Sequence, residues 1–305
     1  MPAEMSTCAS ILLVLFATPP GAYGTGGAGG TGGTGSTVRP DARRLIQKVI
    51  EKQELRQEQQ REYSYLETVT TEHSRKDETI HKVESKTFRV TPSPEGEYRR
   101  LVAENGRPLT PKKEQKEEKE FQKYIEKQMK LSDAERQHNT NEKLASRVSR
   151  FQTRLREALD VYEFTPLPDE KLNGRRLRQF QFSPRNDYQP DSRGTKILNR
   201  LEGTVWIDPR QSQIVRLHLV FREDMKFFLG LFGRVSKGSE ATVEQWQDEN
   251  GLWLLDNITV SLDARFYFLK KYRRRIVYSY ADYERYSVET DEDDFRQFGS
   301  GDGSR

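Results

Sequence analysis

The clearest periodicity in the chain is a two-residue one. From position 252 onward, Leu252, Leu254, Ile258, Val260, Leu262, Ala264, Phe266 and Phe268 occupy alternate positions, broken only by Asp256, while Thr259, Ser261, Asp263 and Arg265 point the other way. That alternation predicts a strand on a sheet with one apolar face. β-branched and aromatic runs predict six more strands in this half of the chain, at 161–165, 175–182, 201–208, 213–222, 240–247 and 273–286. Asp208-Pro209-Arg210-Gln211-Ser212 and Asp248-Glu249-Asn250-Gly251 carry the turn residues of two hairpins. Upstream, 63–72, 79–90 and 97–104 read as an antiparallel meander, with Pro92-Ser93-Pro94-Glu95-Gly96 as one of its turns.

A helical period enters in two places. Asp41, after Pro40, starts a helix running to about Arg61 in which Leu45, Ile46, Val49 and Ile50 share one face and Arg43, Arg44, Lys48 and Lys52 face water. Residues 111–136 and 132–159 predict two charged helices. The second carries a stripe of Leu144, Val148, Phe151 and Leu155; the first has only Phe121, Ile125 and Met129 and is expected on the surface. The fold class that follows is α+β, an antiparallel sheet covered by an N-terminal helix and a helical excursion over 110–160.

The N-terminus reads differently. Ile11–Ala17 is an apolar run followed by Pro19, Pro20 and small residues, the order of an export signal over 1–24, although no Lys or Arg precedes it and Glu4 is acidic; the competing reading is a buried N-terminal helix. Residues 25–38 form a Gly/Thr linker, 39–288 the folding domain, and 289–305 an acidic tail expected to be disordered. The single cysteine, Cys8, precedes the apolar run, so a processed chain has neither a disulfide nor a thiolate metal site. With 51 basic and 47 acidic residues the net charge is +4, too balanced to call for nucleic acid.

Candidate chemistry is sparse. His73, His81, His138 and His218 lack a partner at metal-ligand spacing, and no nucleophile elbow, Walker loop or dinucleotide fingerprint follows a strand. His218 sits between apolar neighbours and reads as structural. Nothing nominates an enzyme, a cofactor or a metal. Two segments are unusual. Lys270, Lys271, Arg273, Arg274 and Arg275, interleaved with Tyr272, read either as a solvated edge at the start of the last strand or as a contact for anionic headgroups; export lowers the nucleic-acid alternative. Met225–Phe232 is almost continuously apolar, and reads as a plug beneath the sheet or a movable flap lining a cavity.

The segment Leu201-Glu202-Gly203-Thr204-Val205-Trp206-Ile207-Asp208-Pro209, followed by Gln213-Ile214-Val215-Arg216-Leu217, resembles the G-x-x-W-I-D-P hairpin of the outer-membrane lipoprotein carrier (LolA-like) superfamily and its lipoprotein-sorting relatives. Tyr63-Ser64-Tyr65 with Val69 is similar to the first strand of that group, and the resemblance covers about residues 40–288. It implies a strongly curved half-barrel whose concave face, under helices, holds lipid or lipoprotein acyl chains in the periplasm without catalysis. With that fold, the groove and flap candidates that the apolar alternation offers are Trp206, Leu217, Leu219, Phe227, Phe228, Leu231, Phe232, Ile258, Val260, Leu262 and Phe266. A two-residue period does not say which apolar side is cavity and which is packed core. The alternative function is an envelope-stress regulator or structural adaptor that binds a partner, such as an envelope membrane protein, through its charged helices.

Overall fold

The computed structural model describes residues 40–60, 63–75, 79–93, 96–130, 157–172, 174–191, 193–227, 233–266 and 270–285. The export signal, the linker, the acidic tail, most of the second charged helix, and Phe228, Leu231 and Phe232 lie outside them.

Helix α1 (Pro40–Gln60) leads into three strands, β1 (Tyr63–Ser74), β2 (Ile80–Ser93) and β3 (Gly96–Glu104), and a two-residue β4 (Arg107–Pro108). Helix α2 (Pro111–Met129) follows. After helical residues 157–161 come β5 (Tyr162–Leu172), β6 (Arg175–Pro184), a short α3 (Arg193–Leu198), β7 (Leu201–Asp208) and β8 (Gln213–Phe221). The chain closes with β9 (Met225–Phe227), β10 (Gly233–Val235), β11 (Glu240–Gln247), β12 (Trp253–Phe266) and β13 (Lys270–Arg285). All strands pair antiparallel in one sheet of order β4-β3-β2-β1-β13-β12-β11-β8-β7-β6-β5, open at β4 and β5.

The sheet curves around α1. The buried residues of the helix, Ala42, Ile46, Val49 and Ile50, fall on one stripe, a stretch that rises only about 12 Å. Yet α1 touches β5, β8 and β12, and β12 and β5 are five strand spacings apart, about 24 Å across a flat sheet. A helix packed by this one buried stripe meets both most readily on a sheet that wraps towards it. The product is a half-barrel whose concave face holds the main core, from Phe182 on β6 to Tyr280 on β13.

Several expectations change. Strand β5 runs to Leu172 instead of stopping near 165, because Glu170–Leu172 resume pairing with β6 after a register shift past Leu167. From Arg273 on, the basic run is not at an edge: β13 lies between β12 and β1, the partner recruited from the other end of the chain, while Lys270–Tyr272 pair with β12 alone among the described residues. The ladder of β11 with β12 passes from Glu244↔Asn257 to Gln245↔Leu255 and skips Asp256. The extra residue resets the alternation, so Leu255 continues the row of Ile258, Val260 and Leu262, and Leu254 does not. Met225–Phe227 and Gly233–Val235 pair as β9 and β10 and prolong the lines of β8 and β11.

Candidate ligand-binding site

Between α1 and the sheet lies a cavity of about 90 Å³ lined by Ile46, Val49 and Ile50 from α1 and, among others, Phe182, Val205, Leu217 and Leu219 from the strands. Its lining carries no charged side chain; the polar groups are the hydroxyl of Tyr162 and backbone. Tyr162 donates that hydroxyl to the carbonyl of Leu198 at 2.8 Å, and burial holds its phenol neutral far beyond the usual range. A second depression, at the β5–β6 tip, is lined by Asp169, Arg176 and Arg178 and open to water; its aspartate already pairs with both arginines, at 2.8 and 3.4 Å.

The structure divides the sequence-derived candidates. Leu217 and Leu219 line the cavity, and Ile258, Val260 and Leu262 on β12 belong to the same core cluster two strands further along the sheet. Phe227 and Phe266 fall in the ladders of β9 and β12, opposite Gly233 and Lys270. Trp206 is elsewhere. It joins a second cluster with Leu177, Val215 and Trp253, its indole donates to Glu170 at 2.6 Å, and Arg216 lies over its ring at 5.5 Å. The pairing passes from Ile207↔Ile214 to Trp206↔Arg216, leaving Val215 as an extra residue. Without that bulge Trp206 would share a face with Leu217; with it, Val205 does.

The base of the β9–β10 hairpin is fixed. Met225 and Val235 are buried in the core, and polar side chains close the breaks between β8 and β9 and between β10 and β11. Asp224 accepts the backbone N–H of Lys237 at 2.9 Å and pairs with Arg234 at 3.0 Å. Ser239 donates to the carbonyl of Asp263 and accepts its N–H, at 3.2 and 3.1 Å.

Sequence reasoning missed the other half of the concave face, where β1, β2 and β13 meet. Tyr65 packs on Tyr280 and Tyr283 with ring centroids 5.8 and 5.2 Å apart, its hydroxyl 3.3 Å from Glu97. Glu67, opposite Tyr280 in the ladder, is only 8% exposed and receives a hydrogen bond from Arg99, which lies over Phe88. Burial, then the carboxylates Glu97 and Glu67, pushes the Tyr65 phenol up; burial also raises Tyr278, to about 12. The alternating Ile276, Tyr278 and Tyr280 were the signal available for this surface.

Burial raises the Glu67 carboxyl too, with Arg99 opposing in part. A carboxyl raised in the folded state favours folding fully below its unfolded value, near 4.5, and loses that contribution as pH rises through the folded value. Glu67→Gln is therefore expected to gain in unfolding temperature relative to the parent as pH goes from 4 to 7.5. A difference that is flat or falls over that range, in parallel thermal melts, would show that Arg99 outweighs burial.

No family model matches the sequence, and no curated protein does. Among solved structures, an outer membrane lipoprotein-sorting protein domain from Vibrio parahaemolyticus is similar at 11% identity and a TM-score of 0.32, over 83% of this chain and 98% of that one. A LolA superfamily protein from Nitrosomonas europaea has 11% identity and a TM-score of 0.32 over 81% and 98%. The MucA/MucB complex of Pseudomonas aeruginosa supplies a match of 10% identity and TM-score 0.22 over 81% and 100%.

Proposed function

We propose that this protein is an exported, non-catalytic binding protein that takes an acyl chain of a lipid or lipoprotein between α1 and the concave face. The observation that carries this reading is the hydrocarbon-lined gap beneath the helix, with Leu217 and Leu219 in its wall. Ile258, Val260 and Leu262 extend the same surface, and Phe227, Phe228, Leu231, Phe232 and Phe266 are the flap and far-end residues of the proposed groove. The export signal over 1–24 directs it to the periplasm.

Magnitudes indicate how the groove is used. At about 90 Å³ the gap is below the roughly 300–1,000 Å³ of pockets that engulf small ligands, so α1 must move for a chain to enter. Burying a palmitoyl chain is worth about 10 kcal/mol gross, at roughly 0.8 kcal/mol per methylene. Undocking Ile46, Val49 and Ile50 costs about 2 kcal/mol each, some 6 kcal/mol together. Most of the gain vanishes if the helix stays off, so it closes again on the bound chain, a two-state lid.

The test is native mass spectrometry of the full chain purified from a host that exports it. One discrete adduct, removed by delipidation and restored by added palmitate, is the expected result. A clean apo mass with no palmitate uptake would reject the reading. The second reading, a protein-binding adaptor, has its own observation in α2. Phe121 and Tyr124 pack on Tyr98 at 5.2 and 4.5 Å, and Arg100 pairs with Glu118 at 2.7 Å. The helix is thereby fixed on β3 with Lys112, Lys116, Lys119, Lys123 and Glu126 exposed.

A further inference from the structure

The pleat sorts the basic run of β13. Arg273 donates to Asp263 at 2.9 Å and Arg275 to Glu72 at 3.4 Å. Arg274 lies between them in sequence and therefore on the opposite face of the sheet. In the ladder it stands directly across from Leu262 on β12 and His73 on β1. Leu262 is part of the main core, and Ile276, the next residue of β13 on that face, packs against it. Arg274, itself partly buried, thus interrupts the apolar row of β13 on the concave face, whereas the row of β12 continues past it to Ala264. Its charge is felt next door: burial first, and then Arg274, lowers the pKa of His73, although Glu84 lies 3.0 Å from the His73 ring. Lys82 pairs with the same Glu84 at 2.7 Å, so one carboxylate is shared among basic groups.

We propose that Arg274 anchors the anionic headgroup, carboxylate or phosphate, of an amphiphile whose chain lies along the concave face. The proposal rests on the acyl-binding reading and specifies its ligand class. The ladder supplies the track. Ile276 pairs with Val260, Val260 with Ala241, and Ala241 with Leu219, all within or against one core cluster. Strand β13 to strand β8 is three spacings, about 14 Å. An acyl chain spans about 15 Å, half of a bilayer core about 30 Å thick. A headgroup at Arg274 therefore places the chain end at Leu219, in the wall of the cavity. A guanidinium partly withdrawn from water binds an anion more strongly than an exposed one, through charge-assisted, bidentate hydrogen bonds.

The experiment is displacement of a fluorescent fatty acid from the delipidated full chain by palmitate, hexadecanol, butyrate and inorganic phosphate. Palmitate is expected to bind at least about tenfold more tightly than hexadecanol, and butyrate and phosphate not to compete. Arg274→Gln is expected to abolish the preference and leave hexadecanol unchanged; Arg274→Lys retains part of it, and Arg275→Gln, on the other face, all of it. Near-ultraviolet circular dichroism of each variant establishes that it is folded. Equal binding of palmitate and hexadecanol by the parent, or a preference that survives in Arg274→Gln, overturns the headgroup assignment and leaves the groove intact. Competition by butyrate or phosphate as strong as by palmitate also overturns it, since the anion site would then be independent of the chain. Failure of every amphiphile to bind overturns the acyl-binding reading itself.

Discussion

Gly203→Ala is expected to lower the unfolding midpoint by about 8–15 °C. A Cβ at Gly203 would lie 1.9 Å from the carbonyl oxygen of His218 and 2.9 Å from Cζ of Phe182. The oxygen belongs to the neighbouring strand β8 and cannot move without parting the ladder in which Gly203 pairs with Leu219. The ring belongs to the core. Overpacking of this kind costs about 1–3 kcal/mol, and each weakened ladder bond adds about 1. The sum, some 3–5 kcal/mol, is a large share of the roughly 5–15 kcal/mol that holds a domain together. In a domain of this size each kcal/mol shifts the midpoint by about 2–4 °C. Gly251→Ala is the control. Its φ of 84° is left-handed, yet an added Cβ there meets only the Gln247 amide, at 3.5 Å, so its cost is the conformational one, about 1–2 kcal/mol. If Gly203→Ala melts within about 2 °C of the parent, on the same scale, β7 and β8 relax apart far more easily than this geometry implies.

Gly203 also shows what could be read from the sequence and what could not. The hairpin from Leu201 to Leu217 was legible because its turn chemistry and its alternation are local. So were α1 and its stripe, and the strand that became β12. The losses share one cause. A bulge is a single residue, Val215 on β8 or Asp256 on β12, that skips the ladder, and nothing in composition marks it. It reverses the facing of everything beyond it. Trp206 was therefore grouped with Leu217 when its neighbours are Leu177 and Trp253, and Leu254 was placed in the row that Leu255 continues. The interior position of β13 was hidden for a different reason: its partner β1 lies about two hundred residues away, and the two meet only through pairs such as Thr71↔Ile276 and Glu72↔Arg275. Local pattern carries no term for that choice, so an arginine run that looks like an edge becomes part of an interior strand.

The second large effect is expected at the β7–β8 turn, to which α1 is tied through Lys52. Asp208→Ala should cost about 2–4 kcal/mol in a urea titration. Asp208 is 5% exposed and its Oδ1 accepts the backbone N–H groups of Arg210 and Gln211, at 2.8 and 3.2 Å. Arg175 donates to Oδ2 at 3.4 Å. These bonds shape a turn in which Ser212 takes a left-handed φ of 52°, and the turn presents Gln211 to three elements. The Gln211 side-chain oxygen accepts the Trp253 indole at 2.5 Å, its amide and that of Gln247 bond reciprocally at 3.1 and 3.0 Å, and its backbone carbonyl accepts Lys52 of α1 at 3.2 Å. One carboxylate therefore organises the β7–β8 turn, the start of β12 and the tether of α1. Asp208→Asn keeps an acceptor for the two N–H groups and gives up the charge facing Arg175, so it is expected to recover more than half of the loss. Equal destabilisation by Ala and Asn would shift the role from the turn to the ion pair. A cost below about 0.5 kcal/mol for Ala, the range of an ordinary surface substitution, would mean that the turn holds without it and that Lys52 is tethered by other means.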